Sequence, residues 1–198
     1  KGIAHHSLSS GRFTVIGGGV PTAILADPQD NSAVRIAIES LCRDFKAVSG
    51  NEPRVSAEAD AERMIVIGSA ESRHISELIA KGKIDGSELA GKNEKYLLTV
   101  VEHPFEGVEE ALVIAGSDRR GTVYGIYELS EQIGVSPWYF WADTPVEHHD
   151  DISIEKGCYT AEEPAVRYRG LFLNDEAPCL TTWVKNHYGA ERGGHEFY

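Results

Sequence analysis

The chain has 198 residues, enough for one ordinary domain or for one domain and part of another. Nineteen Lys and Arg stand against 31 Asp and Glu, a formal charge of −12 that excludes a basic nucleic-acid-binding face and a polybasic membrane surface. With 41% hydrophobic and 25% charged residues the chain folds around a core, and no apolar run reaches the length of a membrane span.

From the N-terminus, Phe13–Ile16 reads as a short strand ended by Gly17-Gly18-Gly19, and Ala23–Ala26 as a second, stopped by Asp27-Pro28. A helix follows. Asn31 or Ser32 caps it, and Val34, Ile38, Leu41, Phe45 and Val48 fall at steps of four and three on one face. Ser49-Gly50 ends it as a glycine C-cap would. Met64–Ile67 is a near-continuous apolar run, which suits a strand covered on both faces. Gly68-Ser69 is expected to open a helix through Ile75, Leu78 and Ile79 that stops at Lys81-Gly82. Tyr96–Val101 and Ala111–Ala115 read as two strands of a hairpin, with Pro104 and Gly107 between them. Asp118 caps a last helix carrying Thr122, Ile126, Leu129 and Ile133, and Gly134 closes it.

That order of strand, helix, strand, helix, two strands and helix predicts an α/β sandwich with helices on a mixed sheet. Residues 137–163 change character. Pro137–Trp141 packs four aromatics together, and seven acidic residues stand against one lysine from Asp143 to Glu163, so the stretch reads as a boundary or cover segment. Val166–Leu173 is expected as a further strand, followed at once by Asn174-Asp175-Glu176. The chain begins without methionine and closes on Gly193–Tyr198, and both ends read as cut.

The local motifs are mostly structural. Gly17-Gly18-Gly19 fits neither phosphate-loop spacing and reads as a turn. Gly116–Gly121 joins a strand to a helix N-terminus, where anions can bind, but the Asp118 carboxylate there suits a cap and would repel a phosphate. His5-His6 and His148-His149 are adjacent pairs, whose side chains point to opposite faces on a strand, so a solvated surface is expected for both. Cys42 lies within the periodic helix as a small core residue. Cys179 follows a proline beside a polar cluster, where a reactive thiol or a bridge to Cys158 stays open. The three consecutive polar residues 174–176 fit either an exposed turn before Pro178 or the functional C-terminal end of a barrel strand.

Several longer runs resemble glycoside hydrolase family 115: Ala111–Tyr127 (ALVIAGSDRRGTVYGIY), Ser130–Tyr139 (SEQIGVSPWY) with Trp141-Ala142-Asp143, Tyr168–Glu176 (YRGLFLNDE) and Gly194–Tyr198 (GHEFY). The resemblance begins near Phe13 and is densest from Ala111 onward. It implies a xylan α-1,2-glucuronidase that releases glucuronic acid or its 4-O-methyl ether with inversion. It also implies an N-terminal mixed-sheet α/β sandwich domain, residues 1–165, followed by the start of a catalytic TIM barrel, residues 166–198, whose first strand is Arg169–Leu173. Asn174, Asp175 and Glu176 match the motif that lines the family's pocket after that strand, with Asp175 expected to bind the uronic acid or position water. His195 and Glu196 match the next motif, near the start of the second barrel helix, and would support the pocket. The main acid and base are expected beyond Tyr198, so the 198-residue chain alone is expected to be inactive.

The same resemblance calls for glucuronoxylan or its oligosaccharides as partner, no cofactor and no metal. It allows a homodimer of the full-length protein, and it implies a secreted or, in a bacterium, periplasmic location. Two other readings stay open: a relative of family 67 or family 20 glycosidases acting on another substrate, and a stand-alone accessory or carbohydrate-binding α/β domain.

Overall fold

The computed structural model describes residues 2–172 and 180–189. The chain divides into two compact units, Lys1–Pro164 and Ala165–Tyr198. In the first unit the elements are β1 (Ala4–His5), β2 (Arg12–Gly17), β3 (Val20–Pro21), β4 (Ala23–Ala26), α1 (Ser32–Ser49), β5 (Val55–Ser56), β6 (Arg63–Ser69) and α2 (Arg73–Ala80). A short 3₁₀ turn at Gly86–Glu88 comes next, then β7 (Tyr96–Glu102), β8 (Glu110–Gly116), α3 (Arg119–Gln132), α4 (Tyr139–Ala142), β9 (Ile152–Glu155) and β10 (Cys158–Ala161).

Six strands form a mixed sheet in the order β10-β7-β8-β6-β4-β5. The β8, β6, β4 and β5 strands run parallel, while β7 and β10 are antiparallel to their neighbours. The apolar runs of β6 and β8 are buried on both faces, as a covered sheet requires. Ile65 and Ile67 of β6 join Leu112 and Ile114 of β8 in one core with α1 and α3. Met64 and Val66, with Ala111, Val113 and Ala115, face a second core with Ile75 and Leu78 of α2. Alternation along each strand thus divides one run of apolar residues between two helical layers.

The helix predicted from Asn31 forms as read. Asn31 Oδ1 accepts from Ala33 N at 3.0 Å, and Gly50 ends the helix at a φ of 82°. The second helix starts later than expected. Gly68 and Ser69 complete β6, and Ser72 occupies the N-cap position of α2, because Ser69 N and Oγ are held by Asp30 in a separate loop.

A four-stranded antiparallel sheet, ordered β1-β9-β2-β3, was not expected from the sequence. Gly18 and Gly19, with φ of 56° and 77°, make the two-residue turn between β2 and β3, a conformation glycine adopts without strain. Its β9 and the β10 edge strand of the larger sheet both come from the segment read as acidic cover. Ile152 and Ile154 are wholly buried and join the α1–α3 core with Phe13 and Ile16.

In the second unit, residues 166–172 form no β-ladder, in contrast to the strand expected there. A strand exists through its neighbours, and no described segment pairs with this one. Its apolar side chains lie open, Tyr168 at 82%, Leu171 at 84% and Phe172 at 92% exposure. The unit also holds α5 (Leu180–Tyr188), which buries Leu180 and Val184 and stacks the Trp183 and His187 rings at 4.3 Å.

Candidate functional site

Asn174, Asp175, Glu176, His195 and Glu196 lie outside the described residues, as does Cys179. Arg169, which opens the expected barrel strand, donates from Nη1 to the Val166 carbonyl at 2.6 Å. The geometry available for chemistry therefore lies in the first unit, at three places.

The first is the C-terminal edge of the parallel strands, where α/β sheets hold ligands when adjacent strands lead to helices on opposite faces. Here β4 leads to α1 and β6 leads to α2, so such a crevice exists between them. It is filled by the protein's own carboxylates. Asp30 accepts from Ser69 N at 2.9 Å and from Ser69 Oγ at 3.0 Å. Asp27 accepts from Arg73 N at 2.9 Å and from Gln29 N at 2.8 Å, and these two bonds hold its carboxyl below the ordinary aspartate range. Two carboxylates occupy the backbone donors that a phosphate would need.

The neighbouring β8–α3 junction follows the same logic. Asp118 Oδ1 accepts from Gly121 N at 2.8 Å, and Oδ2 accepts from Glu94 N at 3.0 Å. The carboxylate caps α3 and ties it to the start of β7, which agrees with the capping role and leaves no anion site. Asp118→Ala removes both bonds, and we expect a loss of about 1–2 kcal/mol, read as a lower urea midpoint at unchanged slope.

The second place is the histidine cluster, where the sequence predicts a solvated surface. The β1–β9 ladder brings the two pairs together, and the His6 and His149 rings stack at 3.7 Å with 29° between their planes. His5 Nε2 meets Glu155 Oε1 at 2.9 Å, and His148 Nε2 meets Asp150 Oδ1 at 3.1 Å. The side chain of His149 is only 18% exposed. Burial, then the neighbouring His6, pushes its pKa below the ordinary histidine value, against an opposing pull from Glu147. Among the described residues no three His, Cys, Asp or Glu side chains converge as a metal site requires.

A depressed histidine pKa means that the unfolded chain takes up a proton that the folded chain refuses. Stability is therefore full above the ordinary histidine value of about 6.5 and falls as pH drops below it, levelling once pH passes the folded pKa. We expect the thermal midpoint to fall between pH 8 and pH 5 more steeply in the parent than in His149→Phe, which keeps an aromatic ring against His6. Equal slopes would show that folding does not depress the His149 pKa.

The third place is a solvent-open cavity of about 360 Å³ where the two sheets of the first unit meet, lined by Arg12, Arg63 and Glu110 among others. Glu110 accepts from Arg63 Nε at 2.8 Å and from Lys156 Nζ at 2.9 Å. Burial raises its pKa, but these two cations outweigh burial and hold the carboxyl below the ordinary glutamate range. Neither cavity nor crevice offers two facing carboxylates free to act as acid and base. Cys42 is no nucleophile either, since burial, helped by Glu52, pushes its thiol up to about 11.

Comparison with known proteins places the chain. Residues 19–129 match the family model of the glycosyl hydrolase family 67 N-terminus, and residues 161–198 match that of glycosyl hydrolase family 115. A solved structure described as "A novel family GH115 4-O-Methyl-alpha-glucuronidase, BtGH115A, with specificity for decorated arabinogalactans" superposes with a TM-score of 0.74 at 31% identity, over 91% of this chain. The chain belongs to glycosyl hydrolase family 115. It spans 22% of the length of that relative. A second solved structure, "Structure of CpGH84D", aligns at 12% identity and a TM-score of 0.45, over 77% of this chain and 22% of that one. No curated protein matches the chain.

The mixed-sheet α/β unit of this family 115 chain is thus a domain of the family 67 N-terminal type. The match to the family 115 model spans all five residues singled out from the motifs. No helix among the described residues is long and apolar enough to cross a membrane.

Proposed function

We propose that the full-length protein is an α-glucuronidase that releases glucuronic acid or its 4-O-methyl ether from polysaccharide side chains. The observation that carries this reading is the 31% identity, over 91% of this chain, to a protein described as a 4-O-methyl-α-glucuronidase. Glucuronoxylan is the expected substrate, by the motif resemblance of Tyr168–Glu176 and Gly194–Tyr198. A second substrate is favoured by a specific observation: the relative is described as specific for decorated arabinogalactans.

The mechanism we propose is inverting. One carboxylic acid protonates the leaving oxygen, and a carboxylate across the sugar activates water, with roughly 6.5–9.5 Å between them. Asn174, Asp175 and Glu176 line the pocket in this reading, and His195 and Glu196 support it. The acid–base pair belongs to parts of the protein beyond Tyr198, so the 198-residue chain releases no sugar by itself. A polymeric plant substrate fits a secreted or periplasmic enzyme, and a homodimer fits the family.

The test is release of uronic acid by the full-length protein from glucuronoxylan and from glucuronidated arabinogalactan, followed by proton NMR of the anomeric signal. Release from xylan with the β-anomer appearing first supports the whole reading. Release from arabinogalactan alone moves the substrate to the second reading. An α-anomer first overturns inversion, and no release from either polymer overturns the glucuronidase assignment.

A further inference from the structure

We propose that the cavity between the two sheets of the first unit is a subsite for a uronate-bearing saccharide residue. Its volume of about 360 Å³ falls within the range of small-molecule sites, at the size of a sugar ring or two.

The walls come from elements that the fold holds rigidly. Arg12 and Thr14 are alternate residues of β2 and share one face of it. Arg63 and Glu110 begin β6 and β8 and stand opposite each other in the parallel register. Leu8, Ser9 and Ser10 close the remaining side, and Arg12 N bonds the Ser9 carbonyl at 3.0 Å, which fixes that loop.

The charge in this cavity opposes that of the chain. Two guanidiniums and one carboxylate line it, whereas the whole chain carries −12. The carboxylate is already neutralised by Arg63 and Lys156. Arg63 makes its bond to Glu110 through Nε, so the outer edge of its fork remains available to a second carboxylate. Arg12, the other guanidinium, reaches its nearest carboxylate oxygen, Glu155 Oε1, only at 3.9 Å, beyond hydrogen-bond reach, and Glu155 is also engaged by His5.

A guanidinium binds a carboxylate through two parallel hydrogen bonds. Ser9, Ser10 and Thr14 add hydroxyl-bearing side chains to the lining, and Leu8 adds an apolar one, the mix of partners that a sugar ring uses. The combination selects an acidic sugar over a neutral one and over a bare anion. An acidic glycan is repelled by most of this surface, so attraction is concentrated at the cavity. In the glucuronidase reading, a uronate held there would give the polymer a second point of attachment.

The physiological role rests on the glucuronidase reading, and the test separates the two. The isotopically labelled 198-residue chain is titrated with methyl α-glucuronoside, with methyl α-glucoside, and with sodium acetate at constant ionic strength, while the arginine Nε–H signals are followed by NMR. The expected result is saturable binding of the glucuronoside with selective shifts of the Arg12 and Arg63 signals, and about tenfold weaker binding of the other two. Arg12→Gln is expected to weaken glucuronoside binding about tenfold while leaving amide signals elsewhere unchanged.

Acetate binding as tightly as the glucuronoside overturns the subsite in favour of a simple anion site. Equal binding of the neutral glucoside, or undiminished binding by a folded Arg12→Gln chain, also overturns it. If the full-length protein releases uronic acid while this chain binds none, the subsite falls and the activity stands. If the chain binds but the full-length protein releases nothing, the activity falls and the subsite stands.

Discussion

Gly121→Ala is expected to destabilise the first unit by about 2–3 kcal/mol, although the same change in an exposed helix would stabilise it by up to about 1 kcal/mol. The reason is the close approach of α3 to the sheet. A Cβ at Gly121 would collide with the backbone carbonyl of Lys95, next to the first residue of β7. That oxygen also accepts from Ser117 N at 2.8 Å, and Lys95 N bonds Ser117 Oγ at 3.0 Å, so the peptide is fixed from both sides. It cannot swing away as a side chain would. The helix must instead lift, and lifting it withdraws Gly121 N from the Asp118 carboxylate. It also withdraws Thr122 from Gly116, where a Cβ would likewise overlap the Thr122 backbone.

The control is Gly125→Ala, one turn later. A Cβ there meets side-chain atoms, Ile114 Cγ2 at 2.7 Å and Tyr96 Cβ at 3.3 Å, which yield by small side-chain shifts and not by displacing a doubly hydrogen-bonded peptide. Its cost should be smaller, about 1 kcal/mol or less, because helix propensity offsets part of the strain. Urea denaturation distinguishes the two through their midpoints at constant slope. A Gly121→Ala chain as stable as the parent would mean that α3 does not sit this close to β7.

These glycines also show what the sequence could and could not tell. Helical periodicity and caps were legible because they are local: Asn31, Asp118 and Gly50 act within one turn of the elements that they end. The double-sided burial of β6 and β8 was legible from unbroken apolar runs. The small sheet was not, because β1 and β3 are two residues each, and β1 owes its existence to a partner far along the chain. Ala4 pairs with Ile154, and His5 with Ser153. Ile152-Ser153-Ile154 did carry an alternating signal, but the acidic residues around it masked the pattern. The same long-range ladder explains the His6–His149 stack, which no local rule could join. Strand propensity misled in the opposite direction at 166–172, where apolar residues are present and the ladder is not. For the candidate site, the motifs single out Asn174, Asp175, Glu176, His195 and Glu196, and these lie outside the described residues.

Asp175→Asn in the full-length protein is expected to reduce kcat/KM by about 10²–10³-fold. The substitution keeps the shape of the side chain and removes its charge and one acceptor oxygen. The charge argues about the role. A uronate is itself an anion, and its carboxylate is best held by a guanidinium, so in the proposed reading Asp175 is expected to face hydroxyl groups of the sugar or the attacking water. Kinetics separates those two roles. If Asp175 orients water, the interaction strengthens only in the transition state, so kcat falls while KM stays. If it binds a hydroxyl equally in ground and transition states, KM rises while kcat stays. Glu176→Gln and His195→Ala set the scale, with His195 expected to act more weakly because the family resemblance implies only a supporting role for its motif. Full activity in a folded Asp175→Asn enzyme would remove that residue from the site. It would also return Asn174-Asp175-Glu176 to an exposed turn before Pro178, a role that Asn and Asp fill readily through side-chain bonds to their own backbone.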